Sequence, residues 1–173
     1  MKKSVFAFTA IALFTLVACN SNSGGMSDKA KKNLENAKAV SKVFETKDLS
    51  KIGDYVDSNV VDHASPDGNQ KGIESLKKSF EEMLGSMSDA KMVAVQEMAN
   101  DDYVFQWIDE SWTQTKESMG MQPGQYNFKV IEVSKFNADS KIVEHWSFMD
   151  FNDMTKMMQI MMPGPADTTM KKM

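Results

Sequence analysis

The stretch that decides the fold is KIVEHWSFMD, from Lys141 to Asp150. Its apolar residues are mostly β-branched or aromatic, and such side chains favour a pleated, partly buried strand. In a regular strand alternate residues share a face, and one face would carry Ile142, Glu144, Trp146, Phe148 and Asp150. That face combines large apolar groups with two carboxylates, which is typical of a pocket wall rather than of plain core. His145 would lie on the opposite, outer face of the sheet.

The residues upstream of position 88 predict helices, because their apolar side chains recur at spacings of three and four. The first helix follows the capping residue Ser27, and its apolar stripe is Ala30, Leu34, Ala37, Val40 and Phe44. A shorter helical piece surrounds Ile52, and a further stripe runs from Ile73 to Met87.

The residues downstream of position 88 predict strands at 91–98, 103–115, 125–136 and 141–150. The breaks at 100–102, 120–124 and 137–140 suit hairpins. A last helix is predicted at 152–162. Helices followed by an antiparallel meander indicate an α+β domain with its helices packed on one face of the sheet.

The N-terminus has the form of a secretory signal peptide, with Lys2 and Lys3 before a short apolar run. It ends in Leu16-Val17-Ala18-Cys19, which resembles a bacterial lipobox, so Cys19 is the predicted lipidation site. The alternative is a lipid-free secreted protein in which Cys19 is incidental. The predicted organisation is a signal peptide at 1–18, a flexible tether at 19–27, one domain at 28–162 and a disordered tail at 163–173.

The location predicted from these residues is the cell envelope. Acyl chains on Cys19 would hold the chain to a lipid membrane. No acidic residue follows Cys19 directly, and by resemblance to the usual sorting rules this favours the outer membrane, facing the periplasm.

Composition excludes some classes of partner. The formal charge is −4, and it becomes −6 when Lys2 and Lys3 leave with the signal peptide. The chain contains no arginine, and lysine cannot make the bidentate fork that recognises phosphates and base edges. Nucleic acid is therefore not an expected partner. The single cysteine allows no intramolecular disulfide.

Three segments together resemble the SnoaL-like polyketide cyclase branch of the nuclear transport factor 2-like superfamily. They are VVDHASPDGNQKGIESLKKSF, DDYVFQWIDESWT and SKIVEHWSFMD. The resemblance implies a cone-shaped fold, in which a bent antiparallel sheet of four to six strands wraps helices around an apolar pocket.

The resemblance also implies acid/base chemistry in that pocket. The family's general acid/base falls on Asp150, and a catalytic or ligand-facing position falls on His63. The sequence departs from the family on the preceding strand, where Ser134-Lys135-Phe136 stands in place of a polar pair with histidine. Two structural alternatives stay open: Asp150 as the cap of the last helix, and His63 as a strand-end residue bonded to backbone.

The predicted pocket lining is Trp107, Glu144, Trp146 and Phe148. A zinc site is not predicted, because the chain has two histidines and one cysteine without convergent spacing. The methionines Met154, Met157, Met158, Met161 and Met162 have helical spacing and predict an adaptable apolar face, with copper(I) binding as the alternative.

These observations predict a membrane-anchored domain whose pocket holds a small apolar molecule. If it is an enzyme, the expected reaction is cofactor-free proton transfer of the cyclisation, isomerisation or hydration type. The alternative is a non-catalytic module that binds a small ligand or forms a homodimer through its sheet.

Overall fold

The computed structural model describes residues 25–65 and 68–161. The predicted signal peptide, Cys19, residues 20–24 of the predicted tether, Met162 and the predicted tail at 163–173 lie outside the described residues. Within the described ranges, no helix has the length and apolarity needed to cross a bilayer.

The chain forms four helices and six strands in the described ranges. The helices are α1 (Asp28–Thr46), α2 (Ile52–Tyr55), α3 (Ile73–Leu84) and α4 (Phe151–Met161). The strands are β1 (Val56–Asp62), β2 (Gln70–Lys71), β3 (Met87–Ala99), β4 (Tyr103–Gln114), β5 (Gly124–Phe136) and β6 (Ile142–Met149).

The six strands form one curled, unclosed sheet in the order β2-β1-β6-β5-β4-β3. Strands β3 to β6 make the predicted antiparallel meander, whereas β1 runs parallel to β6. The α+β architecture predicted from the sequence is confirmed, including the hairpins between the last four strands.

Local signals explain where the first helix begins and ends. The Ser27 hydroxyl accepts a hydrogen bond from the Ala30 backbone N–H at 2.9 Å, which satisfies one of the free donors of α1. Asp28 lies in the first turn, where a negative charge is favourable. Lys47 ends the helix in the left-handed conformation, with φ of 58°.

Two apolar clusters hold the helices on the inner face of the sheet. The larger cluster contains buried residues of α1, α2, α3 and the sheet, among them Ile52, Val60, Leu76 and Val104. The smaller one contains Trp112, Met121 and Phe128, against which residues of α4 pack. The two clusters cover different ends of the same face, and this leaves room for a cavity between them.

A β-bulge in β6 decides which side chains face the helices. Phe136 pairs with Ile142, but the neighbouring Lys135 pairs with Glu144, so Val143 is one extra residue on β6. A bulge reverses the alternation of faces beyond it. Ile142 therefore points to the core, while after the bulge His145 and the alternate residues that follow it take the inner face.

Candidate functional site

A cavity of about 220 Å³ lies between the two apolar clusters, and methionines dominate its wall. It is bounded by α3, the start of β3, the end of β4, the turn after β4, and α4. The methionines that line it are Met83, Met87, Met92, Met119, Met121, Met157 and Met161. We call this cavity the methionine pocket.

A tight turn supplies one side of the methionine pocket. Ser118 and Met121 exchange two backbone hydrogen bonds, of 2.9 and 3.2 Å. Met119 and Gly120 both have positive φ, 52° and 77°. A Cβ on Gly120 would lie 3.2 Å from the Cε methyl of Met161, so α4 packs directly on this turn. The positive φ of Gly120 favours glycine at this position, whereas the Met161 methyl lies at the end of a flexible side chain that can shift.

Glu110 is the one carboxyl group among the residues that line the methionine pocket. It lies on the inner face of β4 between the buried Ile108 and Trp112. Burial raises the pKa of Glu110 to about 8, the negative charge of Glu132 adds to this, and the positive charge of His145 opposes it. Glu110 therefore keeps its proton at neutral pH.

His145 joins two carboxylates on the inner face of the sheet. Its Nδ1 lies 2.9 Å from Oδ1 of Asp62 on β1, and its Nε2 lies 2.5 Å from Oε2 of Glu132 on β5. The Ser147 hydroxyl donates to the other oxygen of Glu132 at 2.7 Å. The side chains of Asp62 and Glu132 are only 11% and 14% exposed, so both depend on His145 as their charged partner.

The pKa values of this triad follow from its hydrogen bonds. Burial disfavours the charge on His145, but the bonds to Asp62 and Glu132 outweigh burial and raise its pKa to about 10. Burial likewise acts against the charge on Asp62, and the bond to His145 still holds its pKa below the usual value. His145 therefore carries a positive charge at pH 7. His145 is protonated there and cannot accept a further proton.

The predicted orientation of β6 is wrong, because it assumed a regular strand. Glu144, Trp146 and Phe148 lie on the outer face, opposite the helices, together with Trp107 of β4. Trp107 is 45% exposed and Phe148 is 54% exposed. None of these four residues lines the methionine pocket. His145, predicted on the outer face, lies on the inner one.

His63 also lies on the outer side of the sheet. Its ring stacks on Trp146 with 4.7 Å between centroids and 7° between planes. Its Nδ1 lies 2.9 Å from Oδ1 of Asn69, and its Nε2 lies 3.3 Å from Oε2 of Glu144. Glu144 also accepts from Lys135 at 2.6 Å. His63 is thus brought together with Glu144 and Trp146, in a polar cluster outside the methionine pocket.

Asp150 caps the last helix, which is the structural alternative that the sequence left open. Its Oδ1 accepts a hydrogen bond from the Asp153 backbone N–H at 2.9 Å, so it caps α4. Asp150 is exposed and does not line the methionine pocket. The predicted partnership of Asp150 with His63 in one pocket is therefore wrong, because strand β6 gives way to α4 at this residue.

Sequence reasoning missed Glu110, Glu132 and Asp62. The sequence contained a signal for two of them, because alternate residues of a strand share a face. Glu110 shares its face with Ile108 and Trp112. Glu132 shares its face with Val130 and Phe136. A carboxylate at an otherwise apolar strand position is a candidate for a buried, functional group. The convergence of Asp62 with His145 depends on the pairing of β1 with β6 and has no local signal.

The methionine stripe of α4 divides between two environments. Met157 and Met161 line the methionine pocket, and Met161 is also 41% exposed; Met154 and Met158 do not line the pocket and are 43% and 56% exposed. Across the residues that the structure describes, no group of three or more His, Cys, Asp or Glu side chains is arranged to hold a metal ion.

A second cavity, of about 300 Å³, lies between α1 and the inner face of β3 and β4. Its wall is more polar. An ion pair joins Lys38 to Glu97 at 2.6 Å, and Gln106 donates to Glu97 at 2.8 Å. The second carboxylate of its wall, Glu45, is paired with Lys42. Because both carboxylates are already paired, this cavity is a weaker candidate for chemistry than the methionine pocket.

Solved structures share this fold. A proposed SnoaL-like polyketide cyclase from Jannaschia sp. CCS1 superposes with a TM-score of 0.65 at 15% identity, over 82% of this chain and 99% of that one. AclR, a proposed hydroxylase from Streptomyces galilaeus, superposes with a TM-score of 0.63 at 22% identity, over 79% of this chain and 99% of that one. A SnoaL-like polyketide cyclase from Agrobacterium tumefaciens superposes with a TM-score of 0.60 at 16% identity, over 73% of this chain and 97% of that one. At these identities the likeness shows a common fold and nothing finer.

Sequence comparison gives the family. The search of curated protein sequences found no significant match. The family model described as SnoaL-like polyketide cyclase matches residues 35–160, which include every strand and most of the helical residues described above. The chain belongs to the SnoaL-like polyketide cyclase family.

Proposed function

We propose that the domain performs cofactor-free acid/base chemistry on a small, largely apolar molecule in the methionine pocket, with Glu110 as the proton donor. The observation that carries the proposal is a carboxyl group in the wall of an apolar cavity with its pKa raised to about 8. Family membership supports the same class of chemistry. Cyclisation, isomerisation and hydration all include a step that such an acid can assist.

A base from the solvent removes a proton from the carbon next to the carbonyl group, and the neutral carboxyl group of Glu110 donates a hydrogen bond to the carbonyl oxygen and transfers its proton there as negative charge develops. The resulting enol returns its hydroxyl proton to Glu110 when the carbon takes up a deuteron from the solvent. A pKa near the working pH suits this role, because the acid is protonated and still gives up its proton readily. The triad of Asp62, His145 and Glu132 contributes charge rather than proton transfer. Burial is the main cause of the raised pKa of Glu110, and the charge of Glu132 adds to it.

Hydrogen exchange at carbon tests the proposal without knowledge of the natural substrate. The probe is a small aryl ketone in D₂O, and proton NMR follows loss of the signal next to the carbonyl. The full chain is expected to accelerate exchange, and Glu110→Gln is expected to lower that acceleration by about 10²–10⁴-fold. The acceleration over the uncatalysed exchange at the same pH is expected to fall as the pH rises through about 8, where Glu110 loses its proton.

Glu144→Gln is the matched control, because Glu144 is a sheet carboxylate on the outer face. It is expected to leave the exchange rate unchanged. Acceleration that survives Glu110→Gln, or that rises with pH through 8, would contradict the role of Glu110 as the acid.

We also propose that the outer face of the sheet pairs with the same face of a second copy. Its exposed large apolar residues include Val93, Met98, Phe105, Trp107, Ile131 and Phe148. Trp107, Ile131 and Phe148 are neighbours on three adjacent strands, so the exposed groups are contiguous. Contiguous apolar surface of this kind marks an interface. A face of this kind can pair with the same face of a second copy about a two-fold axis.

Trp107→Glu combined with Phe148→Glu is expected to convert a dimer to a monomer in analytical ultracentrifugation at micromolar concentration. The control is Phe151→Glu, which changes an aromatic residue that is 75% exposed on α4 rather than on the sheet. The control is expected to remain dimeric. A monomeric unmodified chain would exclude this partner.

Membrane attachment through Cys19 is proposed from the sequence, on the lipobox-like Leu16-Val17-Ala18-Cys19 and the apolar run before it. In a bacterial host, Cys19→Ser is expected to move the protein from the membrane fraction to the soluble fraction. Recovery of the unmodified chain in the soluble fraction would show that Cys19 is not lipidated.

A further inference from the structure

The methionines of this protein are segregated rather than spread through its core. The larger apolar cluster is built from Ala, Val, Ile, Leu and Phe with Tyr at its edge, and none of its described members is methionine. The methionine pocket has the opposite composition: seven methionines line it, and no leucine, isoleucine or valine does. A site that required only apolar surface could use the aliphatic residues that fill the larger cluster. The feature specific to this wall is the thioether sulfur.

The seven thioethers come from four separate parts of the chain. α3 contributes one, β3 two, the turn after β4 two, and α4 two. The turn and α4 are in direct contact, since the Cε methyl of Met161 packs on Gly120. The backbone of this turn has positive φ at two successive residues and brings Met119 and Met121 to the same cavity. Long-range packing, and not helical periodicity alone, therefore collects these sulfur atoms.

We propose that the methionine pocket binds a soft monovalent cation of the copper(I) class through the thioether sulfurs of its wall. Thioethers are soft, uncharged donors that select copper(I) over hard cations. Thioether ligands carry no charge, so they do not neutralise the charge of a bound ion. The free energy cost of burying that charge is smaller for a monovalent ion than for a divalent one. A monovalent ion therefore suits this cavity better than zinc. Among the described residues that line the pocket, Lys91 is the one basic residue, and it is exposed.

The test is competition for copper(I) between the full chain and the chromophoric chelator bicinchoninate, under reducing anaerobic conditions in non-ionic detergent. The unmodified chain is expected to remove one equivalent of copper(I) from the chelator. Replacement of Met121, Met157 and Met161 by leucine is expected to weaken the apparent affinity by at least about 100-fold, because leucine keeps the apolar volume and removes the sulfur.

The matched control is Met154→Leu with Met158→Leu, which removes two sulfur atoms from the solvent side of the same helix. It is expected to keep the affinity of the unmodified chain. Single replacements of Met121 and Met157, each expected to weaken binding about tenfold, serve if the triple variant does not fold.

Three results would overturn the proposal: no competition by the unmodified chain, equal affinity of the pocket variants, or equal loss in the control. The competition assay measures copper(I) affinity and is changed by replacing methionines, whereas the exchange assay for proton transfer contains no metal and is changed by replacing Glu110. Failure of one proposal is therefore distinguishable from failure of the other.

Discussion

Replacing His145 with alanine is expected to lower the free energy of unfolding by about 3–5 kcal/mol at pH 7. The change removes the cation that is hydrogen-bonded to both Asp62 and Glu132, whose side chains are 11% and 14% exposed. Two carboxylates would then face each other across β6 with little access to water, and the loss of one member of a buried ionic group is far more costly than a surface ion pair is worth. Urea denaturation followed by tryptophan fluorescence measures the effect.

His63→Ala is the matched control for this prediction. His63 is a half-buried histidine beside a carboxylate, but that carboxylate, Glu144, keeps its bond to Lys135 when the ring is lost. The expected loss is about 1 kcal/mol or less. Equal losses in the two variants would show that the triad has no special role in stability.

The stabilisation that His145 contributes also depends on pH. Its pKa is raised from 6.5 to about 10 in the folded protein, so the folded state holds the proton more tightly than the unfolded chain does. The contribution is complete below pH 6.5 and is lost as the pH rises to about 10. The fall in stability between about pH 8 and 10, above the pKa of Glu110, should therefore be absent from His145→Ala.

The parts of the fold that could be predicted are those set by local sequence. The stripe of α1, the cap at Ser27 and the breaks between strands depend on residues a few positions apart, and the structure has these elements. The faces of β6 could not be predicted in the same way. One extra residue, Val143, reverses every side chain after it, and this bulge depends on the pairing with β5.

The candidate site could be predicted only in outline, for a related reason. The sequence indicated an apolar pocket with a carboxyl group, and the structure has such a pocket with Glu110 in its wall. The choice of Asp150 failed at the junction of β6 and α4, where the unpaired backbone N–H groups of a helix compete for the same carboxylate. The triad around His145 joins β1, β5 and β6, so it follows from strand order rather than from any short motif.

Replacing Glu110 with glutamine is expected to stabilise the protein at alkaline pH while removing its acid. Glutamine has the same shape and no charge to bury, whereas Glu110 has a pKa of about 8 in the folded protein and 4.5 as its ordinary value. The folded state therefore binds this proton more tightly than the unfolded chain does. The associated stability is complete below pH 4.5 and is lost as the pH rises through 8, with a slope of up to about 1.4 kcal/mol per pH unit.

Unfolding free energies at pH 5, 7 and 9 measure this effect. Glu110→Gln is expected to match the unmodified chain at pH 5 and to exceed it by about 3–5 kcal/mol at pH 9. Glu144→Gln is expected to have the opposite sign, because the hydrogen bonds from Lys135 and His63 hold the pKa of Glu144 below its usual value. If Glu110→Gln gives no gain at pH 9, the carboxyl is solvated and cannot serve as a neutral acid. A gain in stability together with loss of hydrogen exchange would show that this group is retained for chemistry and not for folding.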